Sequence, residues 1–295
     1  MVSLDDRVVI VTGAGRGMGF EHAKLLAAAG AAVILNDVGC DRDGSGSDPS
    51  IAEAAAEAIR STGGIAVANS ADVSTTGGAR EVVDLAVAEF GALHGLVNNA
   101  GILRDRMFVN MTDDDWDEVM RGHLRATFAP TRAAAQYWRD RSKAGDPVRG
   151  SIVSMSSTSG LIGAVGQSNY GAAKAGIAAM TVILAQELGR YGVRVNALTP
   201  VARTRMTEEA PGVSDLVRAP DDGSFDTYHP RNVSPLVLWL LSDDCPATGE
   251  VFYARGLEIR RYAPWRYSDT ITTDGAWDPD DIAARLGPVV TADKT

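Results

Sequence analysis

The chain has 295 residues, of which 45% are hydrophobic, and a formal net charge of −10. This length and composition allow a substantial core within one large α/β domain. The acidic excess disfavours nucleic acids and anionic membrane surfaces as partners. Because the sequence has two cysteines, Cys40 and Cys245, and four histidines, we predict no disulfide framework and no metal centre, and we interpret both cysteines as free thiols in a reducing compartment.

The first predicted elements are a buried strand over residues 7–11 and a helix over residues 20–29. Between them lies a turn with the sequence Thr-Gly-Ala-Gly-Arg-Gly-Met-Gly. Glycines there let backbone amides approach a pyrophosphate at the N-terminus of the helix, where the helix dipole favours anions. The turn does not match the Gly-x-Gly-x-x-Gly fingerprint literally. A glycine turn that binds no ligand is therefore the alternative to a nucleotide site. We predict a nucleotide site that includes Gly13, Arg16, Gly17, Met18 and Gly19.

The second predicted strand, over residues 32–36, ends at Asp37. A carboxylate at this distance from the glycine turn can accept hydrogen bonds from the adenosine ribose and would repel a 2′-phosphate. Arg16 favours NADP instead, since a guanidinium in the turn could pair with the 2′-phosphate. We give Asp37 more weight because Arg16 can swing away, and we predict NAD rather than NADP as the cofactor.

Strand-like and helix-like segments alternate along the rest of the chain, which predicts a parallel sheet with helices on both faces. The predicted fold class is α/β, a doubly wound, mostly parallel seven-stranded Rossmann sheet. We place this domain at residues 1–256 and a C-terminal extension at residues 257–295. The predicted strands lie near residues 7, 32, 65, 95, 151, 193 and 251, and the predicted helices near residues 18, 51, 77, 113, 130, 168 and 233.

The predicted strand over residues 151–155 leads into a Ser/Thr/Gly loop that contains Ser157. Ligands bind at the carboxyl ends of strands in open α/β sheets, so Ser157 is a candidate donor to a substrate oxygen, with a plain polar loop as the alternative. Tyr170 and Lys174 then share one face of a predicted helix. Because a neighbouring ammonium stabilises a phenolate, we expect Lys174 to lower the pKa of Tyr170. The pair is a candidate for proton transfer, with an ordinary surface pair as the alternative.

Four motifs together resemble the short-chain dehydrogenases/reductases. They are Thr-Gly-x-x-x-Gly-x-Gly in the first turn, Asn-Asn-Ala-Gly at residues 98–101, Ser157, and the Tyr-x-x-x-Lys of Tyr170 and Lys174. The resemblance implies that Tyr170 is the general acid/base and that Ser157 polarises the reacting carbonyl or hydroxyl. It implies that Lys174 holds the nicotinamide ribose. Further cofactor contacts implied by the resemblance are Asp72, Val73 and Asn99.

A closer resemblance, along nearly the whole chain, is to the dehydrogenase domains of the peroxisomal multifunctional enzymes of type 2. It implies NAD-dependent oxidation of (3R)-hydroxyacyl-CoA to 3-ketoacyl-CoA, and relatives also accept steroid alcohols. The segments that carry this resemblance are Asn36–Gly39 with the loop to Ser50, Asn98–Arg106, Gly122–Arg125 and Pro235–Leu240.

Two departures from the wider family concern the predicted site. His123 stands where most members of the family have an asparagine, whose backbone carbonyl holds a water of the proton relay. The multifunctional enzymes also have a histidine at this position. A structural histidine and an imidazole that carries protons are both compatible with this change. The common Pro-Gly after the sixth strand is Pro200-Val201, and Thr204, the implied cofactor contact, comes one residue early.

The predicted substrate end of the site is less regular. Residues 203–230 correspond to the substrate lid of the family, and their Gly, Pro and Asp content favours mobility. Four arginines near the expected cleft could bind an anionic CoA ester or pair with carboxylates of the chain itself. They are Arg104, Arg106, Arg203 and Arg205.

The C-terminal extension carries Trp265 and Trp277. We predict that it adds to an interface or covers the substrate cleft, with a loosely packed tail as the alternative. The small and aliphatic residues that follow Lys174 predict close packing with a second copy, as a homodimer or homotetramer. The first predicted strand starts at residue 7, no apolar run approaches a membrane span, and the C-terminus is not a peroxisomal address. We therefore predict a cytoplasmic protein without a membrane partner.

The chemistry predicted from these residues is an NAD-dependent interconversion of a secondary alcohol and a ketone. The substrate predicted from the resemblance is a (3R)-hydroxyacyl-CoA or a steroid or sterol side chain. Two alternatives are an NADPH-dependent 3-ketoacyl or other carbonyl reductase and an NAD-binding protein without turnover. Asp37 disfavours the first of these, and the combination of Ser157, Tyr170 and Lys174 disfavours the second.

Overall fold

The computed structural model describes residues 2–204, 214–263 and 265–292. Within them, eight strands form one sheet in the order β3-β2-β1-β4-β5-β6-β7-β8. All neighbouring pairs are parallel except β7 and β8, which are antiparallel. The fold is the predicted doubly wound α/β sheet. The strands are β1 (Val8–Thr12), β2 (Ala32–Asn36), β3 (Ile65–Asn69), β4 (Gly95–Asn98), β5 (Gly150–Met155), β6 (Val193–Pro200), β7 (Val251–Arg255) and β8 (Glu258–Arg261).

The seven-strand prediction was wrong by one strand, because β8 extends the edge of the sheet. Its sequence, Glu-Ile-Arg-Arg, is half-buried at Glu258 and exposed at the other three positions. An exposed, charged edge strand lacks the apolar run by which the central strands were recognised. The hairpin between β7 and β8 is formed at Gly256, whose φ of 53° lies in the left-handed region that glycine adopts freely.

The helices cover both faces of the sheet and bury two apolar layers. One layer includes Leu26, Val33 and Leu240, and the other includes Ile10, Val82 and Trp138. This arrangement explains why β1, β4 and β5 are buried on both faces. The helices of this unit are α1 (Gly17–Ala28), α2 (Ser50–Arg60), α3 (Thr76–Phe90), α4 (Asp113–Met120), α5 (Ala126–Lys143), α6 (Thr158–Leu161), α7 (Ser168–Leu188) and α8 (Ser234–Leu241).

A π-helical turn, Arg121–Arg125, joins α4 to α5. The sequence analysis did not predict it, because an apolar pattern with a period near 3.6 residues does not reveal one inserted residue. The predicted helices near residues 113 and 130 are otherwise confirmed. The turn carries His123 at its centre.

The chain divides into two compact units, Met1–Tyr262 and Ala263–Thr295. The first unit includes β8, so the division falls after the edge strand rather than at residue 256. The described part of the second unit contains α9 (Pro279–Ala292), in which Arg285 donates to the Thr272 carbonyl oxygen at 2.9 Å. An interface or cleft-covering role for the extension stays a prediction. Among the described residues, no helix has the length and apolar character needed to cross a membrane.

Candidate active site

A cavity of about 770 Å³ opens at the carboxyl ends of the central strands. The sheet reverses its winding between β1 and β4, and ligands of open α/β sheets bind at such a switch point. Among the predicted site residues, Gly19 is the exception that does not line this cavity. Those that line it are Gly13, Arg16, Gly17, Met18, Asp37, Asp72, Val73, Asn99, His123, Ser157, Tyr170, Lys174 and Thr204.

The glycine turn between β1 and α1 lacks room for side chains, as Gly13 and Gly19 show. Gly13 has a φ of 62°, and a Cβ there would lie 2.8 Å from the Ala100 Cα. A Cβ at Gly19 would lie 2.1 Å from the Gly13 carbonyl oxygen. Gly19 therefore closes the turn rather than facing the cavity. Gly17, with a φ of 56°, stands at the open cavity wall, where a Cβ would meet only Thr204 Cγ2, at 3.9 Å.

Asp37 lies at the end of β2, where its carboxylate is held by the glycine turn. Oδ2 accepts from the Gly15 amide at 2.8 Å, and Oδ1 accepts from the Gly39 amide at 2.8 Å. A carboxylate has about four acceptor positions, so this arrangement leaves acceptor capacity for a ribose hydroxyl. Arg16 donates from Nη2 to the Cys40 carbonyl oxygen at 2.9 Å.

Two of the implied cofactor contacts also organise the backbone around the cavity. The Asn99 side chain donates from Nδ2 to the carbonyl oxygens of Thr12 and Gly13, at 3.1 and 3.0 Å. Asp72 accepts from Arg121 Nη1 at 3.1 Å. The Asn99 amide group thus ties the loop after β4 to the glycine turn.

The sheet and α7 bring the three predicted catalytic side chains together. Ser157 is the N-cap of α6 and accepts from the Ser159 amide at 3.1 Å. Lys174 donates from Nζ to the Met155 carbonyl oxygen at 2.6 Å, and its Nζ lies 5.5 Å from the centroid of the Tyr170 ring. Strand β5 therefore positions both Ser157 and the ammonium group of Lys174.

The pKa of Tyr170 differs from the value expected from the sequence. Burial raises the pKa of Tyr170, the hydrogen bond with Ser157 lowers it, and the charge of Asp105 raises it. Burial lowers the pKa of Lys174 to about 7. The pKa of Tyr170 is therefore raised, against the expectation that Lys174 lowers it, because loss of water disfavours the charged form of each group.

His123 is fully enclosed within the π turn. Its Nε2 lies 2.6 Å from the Ile102 carbonyl oxygen and 3.2 Å from the Ile102 amide nitrogen, so both backbone groups of Ile102 hold the ring. The ring meets Tyr170 edge-on, with centroids 5.0 Å apart and an interplanar angle of 82°. Burial and the charge of Lys174 hold the pKa of His123 well below its usual value. A neutral imidazole that packs against the candidate base is the result.

Gly101, in the Asn-Asn-Ala-Gly motif, makes room for this imidazole. A Cβ at Gly101 would lie 2.1 Å from His123 Cε1 and 2.6 Å from His123 Nδ1. We expect Gly101→Ala to lower the free energy of unfolding by about 1–3 kcal/mol, because overpacking forces the ring from its position. Denaturant unfolding measures this change. Gly77→Ala, in an exposed turn of α3 with open space around it, is the control and should be neutral or stabilising; equal effects of the two substitutions would contradict the prediction.

Carboxylates of the chain pair with three of the four arginines considered for CoA binding. Arg104 pairs with Asp114, Arg106 Nε lies 3.9 Å from Asp115 Oδ2, and Arg203 pairs with Asp226. The sequence left open whether these arginines bind CoA or pair with carboxylates of the chain, and this geometry favours pairing within the chain. Arg205 lies outside the described residues, as do residues 205–213 of the predicted lid.

The sequence analysis missed two polar side chains that line the same cavity, Asp105 and Gln167. They lie in different loops, and Gln167 donates from Nε2 to Asp105 Oδ2 at 2.8 Å. Asp105 falls inside the segment that carried the closer resemblance, and Gln167 precedes Tyr170 by one helical turn. No local pattern indicated that the two would meet.

This cavity fits a nicotinamide dinucleotide. Its volume lies within the range of ligand pockets, its open glycine wall is suited to phosphates, and the Asp37 carboxylate lines it with acceptor capacity to spare. The model of the short chain dehydrogenase family matches residues 7–212. The chain therefore belongs to the short-chain dehydrogenases, oxidoreductases that act on CH–OH groups with a nicotinamide cofactor.

Several relatives refine this placement. The chain is 43% identical over 287 residues to the hydroxyacyl-CoA dehydrogenase ChsB1 of Mycobacterium tuberculosis, covering 96% of this chain and 88% of the relative. It is 42% identical over 248 residues to the mouse peroxisomal multifunctional enzyme type 2, covering 84% of this chain but 31% of that protein. A crystal structure of a short chain dehydrogenase from Mycobacterium avium is similar, with 46% identity, a TM-score of 0.84, and coverage of 98% of this chain and 94% of that one.

Proposed function

We propose that the protein oxidises a (3R)-hydroxyacyl-CoA, or a steroid or sterol side-chain alcohol, to the ketone with NAD. The observation that carries this proposal is the meeting of Ser157, Tyr170 and Lys174 at one cavity. The similarity along nearly the whole chain to a hydroxyacyl-CoA dehydrogenase supports the substrate class. We further propose that the enzyme is a homodimer or homotetramer that packs through α7, where Ile183 is exposed.

The roles of the side chains follow from their geometry. Tyr170 takes the proton of the substrate hydroxyl, and Ser157 donates a hydrogen bond to the same oxygen. Lys174, held by the Met155 carbonyl oxygen at 2.6 Å, places its ammonium group next to Tyr170, where it stabilises the phenolate that accepts this proton. A bound nicotinamide would supply the hydride acceptor for the alcohol carbon. Gly13, Gly17 and Thr204 would hold the dinucleotide, with Asp37 at its ribose.

Turnover on matched substrates tests the proposed reaction. Purified enzyme should form reduced nicotinamide with (3R)-hydroxyacyl-CoA esters or hydroxysteroids and NAD, and the (3S)-esters are the control for stereochemistry. Absence of turnover on every acyl-CoA and steroid alcohol, with turnover of another alcohol, would contradict the substrate class while leaving the oxidoreductase assignment intact. Activity only in the reductive direction with NADPH would support the carbonyl reductase alternative.

We expect NAD to be preferred over NADP, and Asp37→Ala to narrow the preference by roughly tenfold. Repulsion between a carboxylate and a 2′-phosphate at contact distance is worth about 1–4 kcal/mol at surface-like dielectric. The measurement is kcat/KM for both cofactors. Asp41→Ala removes a charge from the same loop and should leave the ratio unchanged; equal kcat/KM values for NAD and NADP in the wild-type enzyme would overturn the assignment.

A further inference from the structure

A continuous chain of hydrogen bonds leads from Asp105 to Ser157. Asp105 Oδ2 accepts from Gln167 Nε2 at 2.8 Å, and Gln167 Oε1 accepts from Ser159 Oγ at 2.7 Å. The Ser159 amide then donates to Ser157 Oγ at 3.1 Å. Because a carboxylate can only accept, it fixes which end of the Gln167 amide faces Ser159 and requires Ser159 to donate. Each bond of the chain therefore has one direction.

Hydrogen bonds to the backbone hold the Asp105 end of this chain in place. The Arg106 amide donates to the Gly166 carbonyl oxygen at 2.9 Å, which joins the loop after β4 to the segment before α7. The buried side chain of Asn169 donates to the Arg104 carbonyl oxygen at 3.0 Å. Asp105 is thus fixed by bonds on either side of it. Its contact with Gln167 is a feature of the fold rather than of one flexible side chain.

The network also sets the charge near Tyr170. The titratable groups that face the tyrosine among the described residues are Lys174 on its own helix, His123 on the π turn and Asp105 on the loop after β4. His123 is neutral for the reason given above. Asp105, which lines the same cavity as Tyr170, is therefore the negative charge among these groups. Its second oxygen, Oδ1, is buried without a hydrogen-bond partner in the described part of the chain.

We propose that Asp105, Gln167 and Ser159 form a positioning network that orients the Ser157 hydroxyl and holds a negative charge in the cavity that Tyr170 also lines. One lone pair of Ser157 Oγ is taken by the Ser159 amide, so the Ser157 hydroxyl acts as a donor, to Tyr170 in this structure and to the substrate oxygen when substrate is bound. The charge of Asp105 keeps Tyr170 protonated to higher pH. These residues act through Ser157 and Tyr170, and the inference rests on the proposed oxidoreductase function.

The first test measures the ionisation of Tyr170 directly. The phenolate absorbance of the NAD-bound enzyme is titrated with pH, and the titration of Tyr170→Phe is subtracted to isolate the one tyrosine. In Asp105→Asn the midpoint should fall by roughly 0.5 pH unit, as expected for removal of one charge several ångströms away in a partly aqueous dielectric. Asp117→Asn, an exposed charge on α4, is the control and should not move it. An unchanged midpoint in Asp105→Asn would overturn the charge role.

The second test cuts the chain at two other points. Gln167→Met and Ser159→Ala should each lower kcat roughly tenfold, because loss of one hydrogen bond lets Ser157 leave its reactive position. The Kd for NAD, measured by calorimetry, should stay within about twofold, since neither residue lies at the dinucleotide end. Thermal melting confirms that each variant is folded. Wild-type kcat in Ser159→Ala, or an equal loss of NAD affinity in both variants, would overturn the positioning role.

The two tests separate this inference from the proposed function. The phenolate titration needs no substrate, and kcat can be measured with whichever alcohol the enzyme turns over. Failure on acyl-CoA and steroid substrates therefore contradicts the proposed substrate class alone. An unchanged phenolate midpoint in an enzyme that oxidises (3R)-hydroxyacyl-CoA contradicts the network alone.

Discussion

Tyr170→Phe is expected to lower kcat by about 10³-fold while the Kd for NAD stays nearly unchanged. The substitution removes the hydroxyl that takes the substrate proton but retains the ring that packs against His123 with centroids 5.0 Å apart. General acid/base groups contribute about 10²–10⁴-fold to rate, and loss of an interaction made only in the transition state lowers kcat without changing ground-state binding. Steady-state kinetics and calorimetric NAD binding measure the two quantities.

Tyr191→Phe is the matched control for this substitution. Tyr191 lies in a short 3₁₀ turn after α7, where its ring packs under Arg190 and away from the cavity lining. The Tyr191→Phe variant should retain wild-type kcat. If Tyr170→Phe kept more than about a tenth of wild-type kcat, a loss smaller than general acid/base groups supply, Tyr170 would not be the base.

Lys174→Met is expected to lower kcat by about 10²-fold and to remove a pH dependence of stability. The activity falls because the Tyr170 phenolate, which accepts the substrate proton, loses the stabilising ammonium group 5.5 Å from its ring centroid. Methionine has a similar length and suits the buried position of Lys174, so the fold should survive.

The stability effect follows from the lowered pKa of Lys174. In the folded protein without cofactor this pKa is about 7, against 10.5 for an ordinary lysine. Between these values the unfolded chain binds a proton that the folded chain does not, so this group makes folding more favourable as pH rises. From about pH 7 to about pH 9 the stability of the wild-type protein should increase by about 2 kcal/mol relative to Lys174→Met.

Denaturant unfolding of both proteins at the two pH values measures this difference. Lys143→Met, at the exposed end of α5, should show no such change relative to wild type. If the difference in the free energy of unfolding between wild type and Lys174→Met were the same at both pH values, Lys174 would keep its ordinary pKa in the folded protein.

The sequence predicted those parts of the molecule that depend on local pattern. Apolar runs predicted β1 to β7, and the glycine turn and the Tyr-x-x-x-Lys spacing identified residues that the fold brings to one cavity. Strand β8 was missed because it is charged and exposed, and the π turn because it adds a single residue to a helical pattern.

The features that could not be predicted depend on contacts between distant segments. Gln167 meets Asp105 across 62 residues of sequence, and Arg203 pairs with Asp226 within a segment interpreted as a mobile lid. The direction of the Tyr170 pKa was also wrong from sequence alone. The effect of Lys174 could be anticipated from the helical spacing, whereas loss of water around both groups depends on the complete fold.

The internal pairing of the arginines has a consequence for the approach of substrate. Arg104, Arg106 and Arg203 each lie next to a carboxylate, so these three arginines do little to offset the net charge of −10 of the chain. A polyanionic thioester then diffuses toward a repulsive long-range field, and about 0.1 M salt screens that field beyond about 10 Å. For such a substrate, ionic strength should speed association, whereas a neutral steroid would arrive at a rate that salt leaves unchanged.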